Sequence, residues 1–122
     1  MAGSASTISE STTGSVKRIK FTWTCDDATG AVTSALTTKT YDGEILRLVT
    51  DPGTPAPTAL YDVEIQDADG FDVLIGQGAN RSATVTESVA TGLGATHPSK
   101  LKLVVTNAGA ANNQGIAYVW IR

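Results

Sequence analysis

At 122 residues, with 41% hydrophobic, 6% aromatic and 17% charged positions, the chain is long enough for one domain that buries about two thirds of its surface without metals or disulfides. Nine basic against twelve acidic residues give a formal charge of −3, which speaks against a general nucleic-acid binder, and a single cysteine excludes a disulfide framework or a cysteine zinc site. No apolar run approaches the roughly 20 residues of a bilayer span, and the first residues lack the basic-then-apolar layout of a signal peptide.

Threonine is the commonest residue, and the charged fraction lies below the roughly 25% usual for soluble domains. Helices need solvent faces of Glu, Lys and Arg, which this chain does not supply. Threonine is stiff at χ1 and fits a pleated surface. The composition therefore predicts an all-β fold.

Residues 1–15, MAGSASTISESTTGS, hold one sizeable hydrophobe, Ile8, and are expected to be a flexible arm that either hangs loose or orders against a partner. Residues 16–122 are expected to form the folded domain. In VKRIKFTWTC, Ile19, Phe21, Trp23 and Cys25 alternate with Arg18, Lys20, Thr22 and Thr24, so one strand face goes to a core and the other to water. Asp26 to Gly30 reads as a turn, and Ala31 to Thr40 as a weaker strand broken by Tyr41-Asp42-Gly43. Glu44 to Thr50 reads as a strand with Leu46 and Leu48 on one face and Ile45, Arg47 and Val49 on the other. Three of the four prolines fall in Asp51 to Thr58, a connector. Tyr61, Val63 and Ile65, then Phe71, Val73 and Ile75, alternate about an Asp-Gly turn and predict a hairpin. Arg81 to Ala90 fits either a short strand or a helical turn, and Thr91 to Ser99 reads as a loop. Lys100 to Thr106 is a strand with Leu101, Leu103 and Val105 inward. Ile116 to Arg122 is apolar on both faces, Ile116, Tyr118 and Trp120 opposing Ala117, Val119 and Ile121, and belongs inside a sheet. About seven or eight short strands with turns between them predict an antiparallel β-sandwich or jelly roll, with a closed barrel as the alternative.

The sequence offers little chemistry. His97 precedes Pro98 in a Gly-rich loop without a local orienting partner, and no nucleophile elbow or phosphate-cradling loop is present. Asp67, Asp69 and Asp72 resemble part of a calcium loop but lack its distal glutamate, and a hairpin turn accounts for them. Lys17, Arg18 and Lys20 form a basic cluster that reads as a solvated strand face or as a dock for an acidic partner surface. No cofactor, small-molecule substrate or enzymatic activity is expected.

The stretch YDVEIQDADGFDVLIGQGANRSATVT from Tyr61 to Thr86, the preceding DPGTPAPT and the C-terminal KLKLVVTNAG together resemble segments of small virion structural proteins of tailed bacteriophages. The resemblance implies a capsid cement or decoration protein on the capsid surface, made in the host bacterial cytoplasm. Its partners would be the major capsid protein and copies of itself, as a dimer or trimer, with no nucleic acid or membrane. Ile8 on the arm, with Lys17, Arg18 and Lys20 beside it, are the candidate partner contacts. A head–tail connector or tail component shares these features. A carbohydrate-binding β-sandwich module is the reading from a different class, with Tyr41 as its one candidate exposed aromatic.

Overall fold

The computed structural model describes residues 4–122. Among them there is no helix: the chain forms β1 (Ala5–Thr13), β2 (Val16–Thr24), β3 (Val32–Thr33), β4 (Tyr41–Pro52), β5 (Asp62–Gln66), β6 (Glu87–Val89), β7 (Ala95–Ser99), β8 (Lys102–Thr106) and β9 (Gln114–Ile121). The strands make two antiparallel sheets. The larger has six strands in the order β1-β2-β9-β4-β6, with β7 also paired to β4, and the smaller has the order β3-β8-β5.

One core serves both sheets. From the large sheet come Ile19, Phe21 and Trp23 of β2, Leu48 of β4, and Ala117, Val119 and Ile121 of β9. From the small sheet come Val32, Val63, Ile65, Leu103 and Val105. Trp23 meets Tyr61, just before β5, with ring centroids 5.7 Å apart. The indole also lies across β9 at Gly115, where a Cβ would come within 2.5 Å of its ring, so glycine is what lets the two approach. Cys25 is buried, and its thiol points to the Gly109 carbonyl at 3.3 Å.

Local alternation predicted β2, β5, β8 and β9 well; four other regions differ. The segment expected as a flexible arm contributes β1, paired with β2 from Ala5↔Thr24 to Thr13↔Val16. Residues 1–3 of that arm lie outside the described residues. Few hydrophobes are needed because one face, Ser6, Ile8 and Glu10, turns inward: Ile8 packs on the core. Glu10 meanwhile accepts hydrogen bonds from residues 38–41.

Gly43 does not break the chain but sits within β4 at φ +108°, where a Cβ would lie 2.6 Å from the Arg122 carbonyl oxygen. A second irregularity, between Ile45 and Arg47, shifts the β4–β9 register by one residue. Ile45 and Leu48 therefore both face the core, and Leu46 does not share a face with Leu48 as expected.

The hairpin after β5 stops early. Asp72 Oδ1 accepts from the backbone N–H groups of Ile65 and Leu74, and its Oδ2 from that of Gly76, so residues 72–76 close into turns instead of a strand. Val73 and Leu74 are consecutively buried, while Ile75 is exposed with φ +52°. Finally, β7 forms within the expected loop Thr91 to Ser99, and Glu87–Val89 resolves the open choice for residues 81–90 as a strand.

Candidate docking face on the large sheet

The alternation that buries Ile19, Phe21 and Trp23 sends Arg18, Lys20 and Thr22 to the other side of β2. On β9 the same alternation buries Ala117, Val119 and Ile121 and turns Ile116, Tyr118 and Trp120 outward. The strand register then sets these residues side by side. One outward row runs Ser11–Arg18–Trp120–Arg47, the next Ser9–Lys20–Tyr118–Val49, and the third Thr7–Thr22–Ile116–Asp51. The β4 irregularity matters here: the inserted residue makes Arg47, rather than Leu46, the partner of Trp120.

The centre of this face is a cation–aromatic cluster. Tyr118 and Trp120 stack with centroids 5.7 Å apart and planes 23° apart. The Arg47 guanidinium lies 4.1 Å from the Trp120 ring centroid, while Arg18 and Lys20 approach Tyr118 at 5.5 and 5.8 Å. Such contacts hold long cationic side chains against the sheet without neutralising them. Among the described residues none of the three makes an ion pair; the salt bridge present is Arg81–Glu87, at 3.6 Å. At the β1 side, Ser11, Thr13, Val16, Arg18 and Trp120 line an open cavity of about 260 Å³. The Nε of Arg18 is buried and has no hydrogen-bond partner within the chain.

Of the four candidate contacts, the fold brings Arg18 and Lys20 together on this face. It places Ile8 and Lys17 elsewhere. Ile8 is half-buried against the chain's own core, and Lys17 follows the inward phase at the start of β2, opposite Thr12 and Ile121. Tyr41, the candidate exposed aromatic, is only 2% exposed, and its hydroxyl donates to Glu10 Oε1 at 2.8 Å. Arg47, Tyr118 and Trp120 escaped the sequence reading as site residues. The shared face of Tyr118 and Trp120 was visible in the alternation of β9, but their placement between Arg18 and Arg47 depends on pairings between distant segments.

The other sequence candidates are used by the fold itself. Asp67 Oδ1 accepts from the backbone of Asp69 and Phe71, both at 3.0 Å, and Asp72 caps the turn described above. Among the described residues no group of His, Cys, Asp and Glu is arranged to hold a metal ion. His97 is exposed on β7. Compared with protein-family models, with curated proteins and with solved structures, the chain returns no match, so the chemistry of this face is read from its own residues.

Proposed function

We propose that this chain is a structural docking protein of the virion, a capsid cement or decoration protein whose two sheets form a β-sandwich. In this reading the outer face of the large sheet seats on the major capsid protein. The observation that carries it is the open face itself: three cations without ion-pair partners flank an aromatic pair on the middle strands of a broad sheet. Buried aromatic and arginine anchors inside a polar rim are how protein interfaces concentrate their binding energy. The Ser and Thr residues of β1 supply such a rim along one side. The sequence likeness to small phage virion proteins points the same way, and the docking role involves no catalytic centre.

The Tyr118–Trp120 stack also invites a carbohydrate-binding reading. Sugars stack on open ring faces, however, and here Arg47 already covers Trp120 at 4.1 Å, with Arg18 and Lys20 over Tyr118. Protein docking fits that arrangement better.

The test is attachment. Purified chain is mixed with expanded empty heads and, separately, with tails of the phage that encodes it. Saturable binding to heads at a fixed copy number, with a rise in head melting temperature, is the expected result. Binding to tails alone would replace the cement role with a tail role, and binding to neither overturns the virion reading.

A further inference from the structure

We infer that the cavity between β1 and β9 is a carboxylate pocket, which takes an aspartate or glutamate side chain from an acidic segment of the docking partner; this rests on the docking role proposed above. The cavity, about 260 Å³, is walled by Ser11, Thr13, Val16, Arg18 and Trp120. That is ample for a carboxylate group together with bridging water. Its lining is one-sided: an arginine, two hydroxyl residues, a valine and a tryptophan, with no acid on the wall.

Arg18 is the decisive residue. It is the one basic residue on the cavity wall, and among the described residues it makes no ion pair. The guanidinium carbon lies 5.5 Å from the Tyr118 ring centroid, a contact that leaves its charge unneutralised. A carboxylate in the cavity accepts hydrogen bonds from the terminal N–H groups of the guanidinium, not from the buried Nε. Ser11 stands opposite Arg18 on β1, so its hydroxyl and that of Thr13 can donate from the other wall. Arg47 holds Trp120 from its far side at 4.1 Å, which keeps the indole wall in place. Lys20 and Arg47 extend the positive face to either side of the pocket and suit further acidic residues in the same segment.

Charge distribution selects a protein segment over nucleic acid. The chain holds nine basic and twelve acidic residues. Setting aside the three cations of this face leaves 9 − 3 = 6 basic against 12 acidic residues, a remainder of −6. A nucleic-acid backbone extends its phosphates past the face into that field, whereas an acidic loop meets only the face.

The full-length chain is titrated at low salt with an oligoglutamate peptide, with oligoglutamine as the neutral control, and with inorganic phosphate and a short DNA duplex in parallel. The readouts are the NMR signal of the Arg18 Nε–H and the indole N–H signal of Trp120. Oligoglutamate is expected to move both signals saturably and to weaken as salt rises, while oligoglutamine leaves them in place. Arg18→Ala is expected to lose about tenfold or more in affinity, and Arg18→Lys nearly as much, because lysine keeps the charge but not the fork. Ser11→Val, which fills the cavity mouth and leaves every charge, is expected to lose affinity too, and it covers the case in which Arg18→Ala does not fold. The proposal is overturned if oligoglutamate moves neither signal, if the folded variants bind like the wild type, or if phosphate or duplex binds more tightly at equal salt. Heads that take up wild type and Arg18→Lys alike remove the pocket and leave the docking role standing. Heads that take up neither, beside a normal peptide titration, remove the docking role and leave the pocket.

Discussion

Glu10 ties the first strand to the body of the protein through four hydrogen bonds to one carboxylate. Oε1 accepts from the Tyr41 hydroxyl at 2.8 Å and the Lys39 backbone at 3.1 Å, and Oε2 accepts from the Thr38 hydroxyl at 2.7 Å and the Thr38 backbone at 3.1 Å. Burial alone pushes the Glu10 carboxyl up, but the bonds from Thr38, Tyr41 and the two backbone groups outweigh it and hold its pKa below the usual value. Burial, then the bond and charge of Glu10, push the Tyr41 phenol far up, so it stays a donor. A carboxylate with a depressed folded pKa contributes stability that is present above its unfolded pKa and fades as pH falls through the folded one. Glu10→Gln is therefore expected to lower stability near neutral pH and to flatten its decline in acid, measured as urea midpoints across the acid range. An identical pH profile in wild type and variant rules this out. Tyr41→Phe, which removes one donor and keeps the ring, is expected to cost about 0.5–1.5 kcal/mol. None of this was legible in the sequence, because the donors lie 28 to 31 residues further along the chain.

Strands were legible where a period of two ran unbroken, and the structure departs where something non-local interrupts the period. In β2 the pattern alone placed the core residues and the outward Arg18 and Lys20, and in β9 it separated the two faces, of which the structure buries Ala117, Val119 and Ile121 and leaves Tyr118 and Trp120 outward. In β4 one inserted residue reversed the phase between Ile45 and Leu48, and hydropathy gives no sign of such an insertion because Leu46 is as apolar as its neighbours. After β5 the apolar period continues through Phe71, Val73 and Ile75, yet the Asp72 carboxylate offers the backbone a competing set of bonds and the strand does not form. β1 is the converse case. Its residues carry almost no hydrophobic signal, and it is a strand because β2 presents a ladder and residues 38–41 present donors to Glu10. Removal of residues 1–13 is thus expected to leave a folded but weaker protein. The loss of half-buried Ile8 and of the Glu10 junction amounts to about 2–3 kcal/mol. The truncation also turns β2 into a sheet edge, so a greater tendency to associate should accompany the lower midpoint. Urea denaturation and size-exclusion chromatography check both, and an unchanged midpoint would show that β1 adds nothing.

At the scale of the whole molecule, the last strand is the middle of the large sheet. β9 pairs with β2 on one side and with β4 on the other, so segments from opposite ends of the sequence must meet before that sheet closes. Long-range pairing of this kind is the slow, all-or-none part of β folding. The same strand supplies Ala117, Val119 and Ile121 to the core and Tyr118 and Trp120 to the candidate docking face, so fold and candidate site share a keystone. Val119 and Ile121 are each worth about 1.5–3 kcal/mol of burial, and two ladders depend on β9 as well. Those two side chains together amount to about 3–6 kcal/mol against a total stability of about 5–15 kcal/mol, before the loss of either ladder is counted. A chain ending at residue 113 is expected to be unfolded, with collapsed NMR dispersion and no cooperative melt, where the chain lacking residues 1–13 keeps both. A cooperative melt in the shorter C-terminal form would mean that β2 and β4 can close on each other without β9, and that the large sheet has a second arrangement open to it.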